Sequence, residues 1–390
     1  MAARRTSAFG TSIFTEISAL AVAHDAVNLG QGFPDFPAPA FIKEAAMRAI
    51  REDRNQYAPA AGLPRLRAAI AARWQQLHGV AVDADEVTVA SGATELLHDA
   101  VLAVVEPGDE VIVFEPTYDA YVPDIIMAGG TARAVALRPP HWRWDPDELR
   151  RAFGPRTRAV ILNTPHNPTG KVFSPDELEA VARLCRERGV YCITDEVYEH
   201  LVYEGRHVSM ASLPGMRERT ITISSLSKTF SFTGWRIGWA MGPPELVSAV
   251  RSAHQFITFT AATPLQHGAA AGLATGTDYY AGLAAEYRGK RDYLAGELAR
   301  IGFRVKAPQG TYFVCADFRP FGFDDDVAFA RHLTEKIGVA AIPPSVFYDN
   351  PEHGKSYVRF AFCKKRETLE AAVQRLAALS SPSPGGRGQG

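Results

Sequence analysis

TITISSLSKTFSFTGWRIGWAM, residues Thr220 to Met241, joins two short apolar runs through a loop of hydroxyl residues, glycine and one lysine. The runs TITIS and RIGWAM have the β-branched and aromatic content of buried strands. Lys228 stands just after the first of them, where a merely solvating charge has little reason to be. Lysine is the side chain that condenses with aldehydes, and partial burial lowers its pKa so that the neutral amine becomes available. Ser225 and Ser227 add hydroxyls and Arg236 a fixed-charge fork, a set suited to holding a phosphate.

Working back from this loop, the same alternation extends to Glu86. VTVA is followed by SGATELLHDAVLAVV, EVIVF by YDAYVPDIIMA, TRAVILN by SPDELEAVARLCRER, and VYCIT by EVYEHLVY. Repeated strand and helix units of this length predict an α/β fold, with parallel strands, helices on both faces and right-handed crossovers. Ser174, Pro175 and Glu177 read as a capping box with proline at the first helical position, and EPGDE as a turn ahead of a strand.

Working forward, the chain beyond about residue 243 turns helical, with a long amphipathic run near Asp278 to Arg300. GTYFVCADF, a helix near Asp326 to Lys336, GVAAIP, YVRFAF and a last helix Glu367 to Leu379 read as a smaller α+β domain. At the N-terminal end an amphipathic piece, Ser12 to Ala23, leads into VNLGQGFPDFPAPA, whose glycines and prolines impose a shaped loop. That loop is either a connector or, at Gly32, a place where backbone approaches a ligand closely. The expected division is a large domain over 46–285, a small domain from 1–45 with 286–379, and a disordered tail over 380–390, SSPSPGGRGQG, which has no apolar residue.

The 390 residues, 46% hydrophobic, suffice for two cores. A formal net charge of -1 gives no basic excess for nucleic acid or anionic membrane, which leaves small polar metabolites as partners. Cys185, Cys192, Cys315 and Cys363 lie singly in apolar runs, without the spacing of a metal site or a disulfide framework. No metal and a reducing cytoplasm are expected. The start MAARRTSAFG lacks the apolar core of an export signal, and no apolar run reaches membrane-spanning length.

In open α/β sheets, ligands gather beyond the carboxyl ends of the strands. SGAT, Ser91 to Thr94, ends a strand and opens a helix whose first N–H groups can cradle phosphate. NTPHNPTG, with Asn163 and Asn167, follows TRAVIL and carries two prolines. Asp195 closes VYCIT, where it either caps the next segment or meets a cation such as a protonated pyridine. An aldehyde-trapping lysine beside a phosphate clamp points to pyridoxal phosphate.

NLGQGFPDF, NQYAP, SGATELL, YDAYVP, NTPHNPTG, TDEVYEH, SKTFSFTGWRIGW, HQFITFT and GVAAIPPSVFY occur in that order. With them the chain resembles the class I aminotransferases among the fold-type I pyridoxal phosphate enzymes, most of all the methionine and kynurenine aminotransferase branch. The resemblance runs from NLGQGFPDF to RFAFCKK. It implies a mostly parallel seven-stranded sheet between helices in the large domain, plus the smaller α+β domain. It implies that Lys228 binds the cofactor and moves the substrate α-proton, that Asp195 pairs with the pyridinium nitrogen, and that Tyr198 and Asn167 hydrogen-bond the ring hydroxyl. Tyr118 would stack on the ring, where the family often has Phe or Trp. Backbone at Ala93 and Thr94, with Ser225 and Arg236, would bind the phosphate, and Tyr57 would reach it from the partner in a homodimer.

By the same resemblance Arg359 would grip the substrate carboxylate, helped by Asn167 and the backbone of Gly32. Phe14 would line an apolar, aromatic side-chain pocket together with Phe259, the latter reaching across from the neighbouring subunit. The implied activity moves the amino group of an apolar or aromatic L-amino acid, methionine favoured, to a 2-oxo acid by a ping-pong mechanism. Two alternatives stand beside it: a cysteine-conjugate carbon–sulfur β-lyase using the same cofactor, and a non-catalytic phosphate- or nucleotide-binding α/β protein. Glu115–Pro116 and Asn167–Pro168 are expected to be cis.

Overall fold

The computed structural model describes residues 3–7 and 9–380, so the expected tail beyond Ser380 lies outside the described residues. In chain order the strands are β1 (Val27–Asn28), β2 (Val87–Ala90), β3 (Glu110–Glu115), β4 (Thr131–Ala136), β5 (Thr157–Asn163) and β6 (Tyr191–Asp195). They continue with β7 (Thr220–Ser225), β8 (Gly238–Met241), β9 (Arg304–Val305), β10 (Phe313–Asp317), β11 (Val339–Ala340) and β12 (Tyr357–Ala361). Seven of them form one sheet in the order β2-β8-β7-β6-β5-β3-β4. The pairs among β3 to β7 are parallel, and β8 runs antiparallel to both its neighbours. This is the mostly parallel, seven-stranded α/β sheet expected.

Alternate residues of the central strands feed two separate cores, because successive side chains in a strand point to opposite faces. Ile112, Phe114, Val160 and Leu162 pack with Leu178, Val181 and Cys185 of the helix Pro175–Arg188. Val111, Val113, Ile161 and Ile193 pack with Leu96 and Val101 of Ala93–Val104, and with Leu246 and Val250 of Pro244–Ile257. Helices therefore cover both faces, which is why these strands read as continuous apolar runs rather than alternating ones. The capping box forms as expected: Ser174 Oγ accepts from the Glu177 N–H, and Glu177 Oε2 accepts from the Ser174 N–H at 2.9 Å.

The smaller body pairs β10 with β9 and β12, all antiparallel, and sets β1 parallel to β11. Ile17, Phe329, Phe360 and Leu369 share its core with Leu294 and Leu298 of the helix Thr277–Ile301. The N-terminal segment is thus hydrogen-bonded to C-terminal sequence. We propose 46–285 and 1–45 with 286–379 as the two domains, with the helix Thr277–Ile301 crossing that boundary unbroken.

One expected helix is absent. The segment after β6, Glu196 to Leu201, runs as turns. Glu196, Tyr198 and Leu201 are all buried, so the segment has no solvent face for an amphipathic helix to present. Glu196 is also drawn aside by His207 Nε2 and Ser209 Oγ, each 2.7 Å from its carboxylate. Glu115–Pro116 and Asn167–Pro168 are cis, as are Pro139–Pro140 and Thr164–Pro165. The four cysteines are free and buried. Among the described residues, no helix is long and apolar enough to cross a membrane.

Candidate active site

The segments that leave the carboxyl ends of β2, β5, β6 and β7 converge with β12 on a cavity of about 390 Å³. β2 leads to Ala93 and Thr94, β5 to Asn167, β6 to Asp195 and Tyr198, and β7 to Ser225, Ser227 and Lys228, while β12 contributes Arg359. Tyr118, Arg236, Phe14 and Gly32 complete the predicted residues that line it.

Lys228 sits in the single helical turn Leu226–Thr229 that follows β7. Its Nζ lies 5.8 Å from the ring centres of both Tyr198 and Tyr312. Burial pulls its pKa down to about 8; the nearby Cys363 and Asp195 act against this, while the positive charges of Arg236 and Arg359 reinforce it. The neutral form that a nucleophile or base requires is therefore much more accessible near physiological pH than in an ordinary lysine.

Asp195 ends β6 and is buried, yet it makes no ion pair among the described residues. Oδ2 accepts from Tyr121 Oη at 2.8 Å and Oδ1 from the Val197 N–H at 3.3 Å. Burial raises its pKa against these two hydrogen bonds and the Lys228 charge. It caps no helix, since none follows. A desolvated carboxylate with neutral donors only is incomplete without a cation from a ligand. Tyr121 was not among the predicted residues. Its one signal was the pair of tyrosines in YDAY, and the sequence does not say which of them turns toward Asp195.

Arg359 is buried to 2% exposure between Phe313 and Phe14, whose ring centres lie 4.1 and 5.2 Å from its Cζ. Nη1 donates to Asn167 Oδ1 at 3.0 Å and Nη2 to the Gly30 carbonyl at 2.6 Å, while Nε is buried without a partner. Neutral acceptors leave the charge uncompensated, so the fork is suited to a ligand carboxylate. Gly32, expected to help bind the substrate carboxylate through its backbone, lines the cavity close by. The Gly32 carbonyl accepts from Tyr312 Oη at 2.7 Å, and a Cβ there would stand 2.6 Å from the Phe313 ring. Asn163 ties the set together: its Oδ1 accepts from the Asn167 N–H at 2.7 Å and its Nδ2 donates to the Asp195 carbonyl at 2.8 Å.

At the other end of the cavity, Gly92 precedes the helix Ala93–Val104 with φ of 90°. A Cβ on Gly92 would lie 2.6 Å from Arg236 Nη2, so only glycine lets the guanidinium close over the helix start. Arg236 Nη2 also lies 3.5 Å from Thr94 Oγ1, and Ser227 Oγ is buried without a partner. First-turn N–H groups, a guanidinium and an unpartnered hydroxyl make an anion cradle. Tyr57 and Phe259 do not line the cavity. They lie edge to face on the surface, ring centres 5.2 Å apart, with Tyr57 81% exposed and Phe256 nearby in sequence 89% exposed.

Compared with known proteins, residues 24–376 match the family model "Aminotransferase class I and II". The chain is 48% identical, over 97% of its length and 99% of the relative's, to the probable N-succinyldiaminopimelate aminotransferase DapC of Mycobacterium tuberculosis. It is 42% identical to the methionine aminotransferase of Escherichia coli, over 95% of this chain and 96% of that one. The solved N-succinyldiaminopimelate aminotransferase from Mycobacterium tuberculosis superposes with a TM-score of 0.94 over 97% of this chain and 100% of that one, at 48% identity.

Proposed function

Because the chain belongs to the aminotransferase class I and II family, we propose that its cavity moves the amino group of an apolar or aromatic L-amino acid, methionine foremost, to a 2-oxo acid. It is an aminotransferase, and like its family it depends on pyridoxal phosphate. The residues fit that group by the chemistry of what they lack. Among the described residues, Asp195 makes no ion pair, Ser227 Oγ is buried without a hydrogen-bond partner beside the cradle at Arg236, and Lys228 is a half-buried amine shifted toward its neutral form.

The cofactor, when bound, supplies an electron sink for the substrate's α-carbon. Lys228 would hold its aldehyde carbon and, once freed by substrate, carry the α-proton between carbon centres. Asp195, positioned by Tyr121, would keep the ring nitrogen protonated. Ala93, Thr94, Ser225, Ser227 and Arg236 would hold the phosphate, Tyr118 would stack on the ring, and Tyr198 and Asn167 would bind its hydroxyl. Arg359 would fix the substrate carboxylate so that the α-proton faces Lys228.

The observation that carries the donor class is the accounting of cations. Lys228, Arg236 and Arg359 are the cations lining the cavity, and each has a duty; Phe14 and Phe313 flank the last. A donor's second carboxylate would meet no free counter-charge there. A screen of methionine, phenylalanine, kynurenine, glutamine and N-succinyldiaminopimelate against one 2-oxo acid, ranked by kcat/KM, should put a monocarboxylic donor first. A lead for N-succinyldiaminopimelate would overturn the methionine reading.

The exposed Tyr57, Phe256 and Phe259 support a homodimer in which Tyr57 and Phe259 complete the partner's site. Sedimentation should give a dimer, and mixing inactive Tyr57→Ala and Lys228→Ala chains should restore part of the activity through hybrid dimers. A monomer with full activity would refute this arrangement. The free, buried cysteines support a cytoplasmic location, which cell fractionation would check.

A further inference from the structure

A second hollow, of about 840 Å³, adjoins the active cavity. The two share Ser12 and Asp119, so Asp119 stands at the border between them. Apolar walls come from Ile13, Val122 and Phe347. Among the described residues, the charged ones that line it are all acids, Glu16, Glu115, Asp119 and Asp349, and no lysine, arginine or histidine lines it.

Two of these acids are already engaged. Glu16 pairs with Arg331, and Glu115 accepts from the Asp349 N–H at 2.8 Å, with burial pushing its pKa up to about 7. Asp119 differs. Among the described residues its carboxylate accepts only from its own backbone N–H, and Arg359 opposes the rise in pKa that burial causes. A half-buried acid with open acceptor positions, beside a hollow whose described charged residues are all acids, favours a ligand that brings N–H donors or positive charge.

We propose that Asp119 and this hollow form a distal subsite for donor side chains ending in an N–H-bearing nitrogen group, such as an ammonium, guanidinium, amide or aniline. The same subsite discriminates against side chains that end in a carboxylate. This rests on the aminotransferase reading above and extends it. Arg359 fixes the donor's carboxylate in the first cavity, and a long side chain then passes Phe14 toward the border, where Asp119 reads its end. Donors as short as methionine leave the subsite unused.

Three non-reacting probes separate the contributions: hexanoate, 6-aminohexanoate and adipate, each with one carboxylate for Arg359 and a neutral, cationic or anionic far end. Calorimetric titration of the protein loaded with pyridoxamine phosphate, which has no aldehyde for the probe's amine to condense with, should show 6-aminohexanoate binding about tenfold more tightly than adipate, the scale of exchanging a partly exposed attraction for a repulsion. Asp119→Asn should shrink that ratio to about twofold or less, over and above any common change in all three probes through the nearby Arg359. Adipate binding as well as 6-aminohexanoate in the parent protein would overturn the proposal. So would an Asp119→Asn variant that weakens all three probes alike and leaves the ratio unchanged, since that marks a structural role. Kinetics offer the independent arm: lysine, norleucine and 2-aminoadipate as donors should follow the same order. If no amino acid at all donates its amino group, the aminotransferase reading falls and takes this one with it.

Discussion

Lys228→Ala will give a folded protein whose steady-state turnover falls by about 10⁴-fold or more, because one change removes both the covalent anchor and the proton carrier. Stability should hardly move. The amine is half-buried on the cavity wall and its pKa is lowered to about 8 mainly by desolvation, so the fold gains little from its charge. Deleting the side chain leaves a gap that opens onto an existing cavity rather than a sealed void. Thermal melts of the two cofactor-free proteins should therefore agree within a few degrees, while a coupled 2-oxo acid assay separates them. Lys228→Arg will not rescue, since a guanidinium stays charged and cannot condense with an aldehyde.

The same amine sets a pH dependence whose sign is fixed. Only its neutral form attacks an aldehyde, so uptake of pyridoxal phosphate by the cofactor-free parent protein should quicken as pH rises through about 8 and then level off. An ordinary exposed lysine would still be climbing above pH 10, its usual pKa being about 10.4. Stopped-flow absorbance would record it. An uptake rate that does not change around pH 8, or sustained turnover by Lys228→Ala, would remove Lys228 from the centre of the chemistry.

The parts of the site that were legible in the sequence share a physical cause. Lys228, Asp195 and Asn167 each follow an apolar run short enough to be a buried strand, and polar residues at strand ends in an open parallel sheet have one place to go. Arg359 was harder to read, because an arginine inside YVRFAF is equally at home on an exposed strand edge; burial between Phe14 and Phe313 decides it. The Asp195–Tyr121 bond stayed hidden because it depends on how the turn before Tyr121–Met127 rotates two similar tyrosines. The turns at Glu196–Leu201 were misread as helix because a period of apolar residues does not show that the polar ones between them are buried too. Tyr57 and Phe259 lie exposed on the surface rather than in the cavity, a placement that the order of motifs along the chain does not reveal.

Asp195→Asn is the most telling of the remaining substitutions, since it should move stability and activity in opposite directions. The carboxylate is buried with neutral donors, and its raised pKa means that the cofactor-free fold disfavours the charge it carries. Asparagine keeps the volume and an acceptor for Tyr121 while removing the buried charge, so the cofactor-free variant should melt at the same temperature or higher. With cofactor bound the balance reverses. The ring nitrogen then loses its anionic partner in a desolvated setting, a loss of about 3–5 kcal/mol that corresponds to roughly 10²- to 10⁴-fold in rate. Raising the pH of the assay will not restore the variant, because the missing charge belongs to the side chain itself. Calorimetric melts with and without pyridoxal phosphate, run beside kcat/KM for one good donor, test both halves. A variant that is destabilised without cofactor yet fully active would show that Asp195 is structural, its charge balanced within the chain rather than by the ligand.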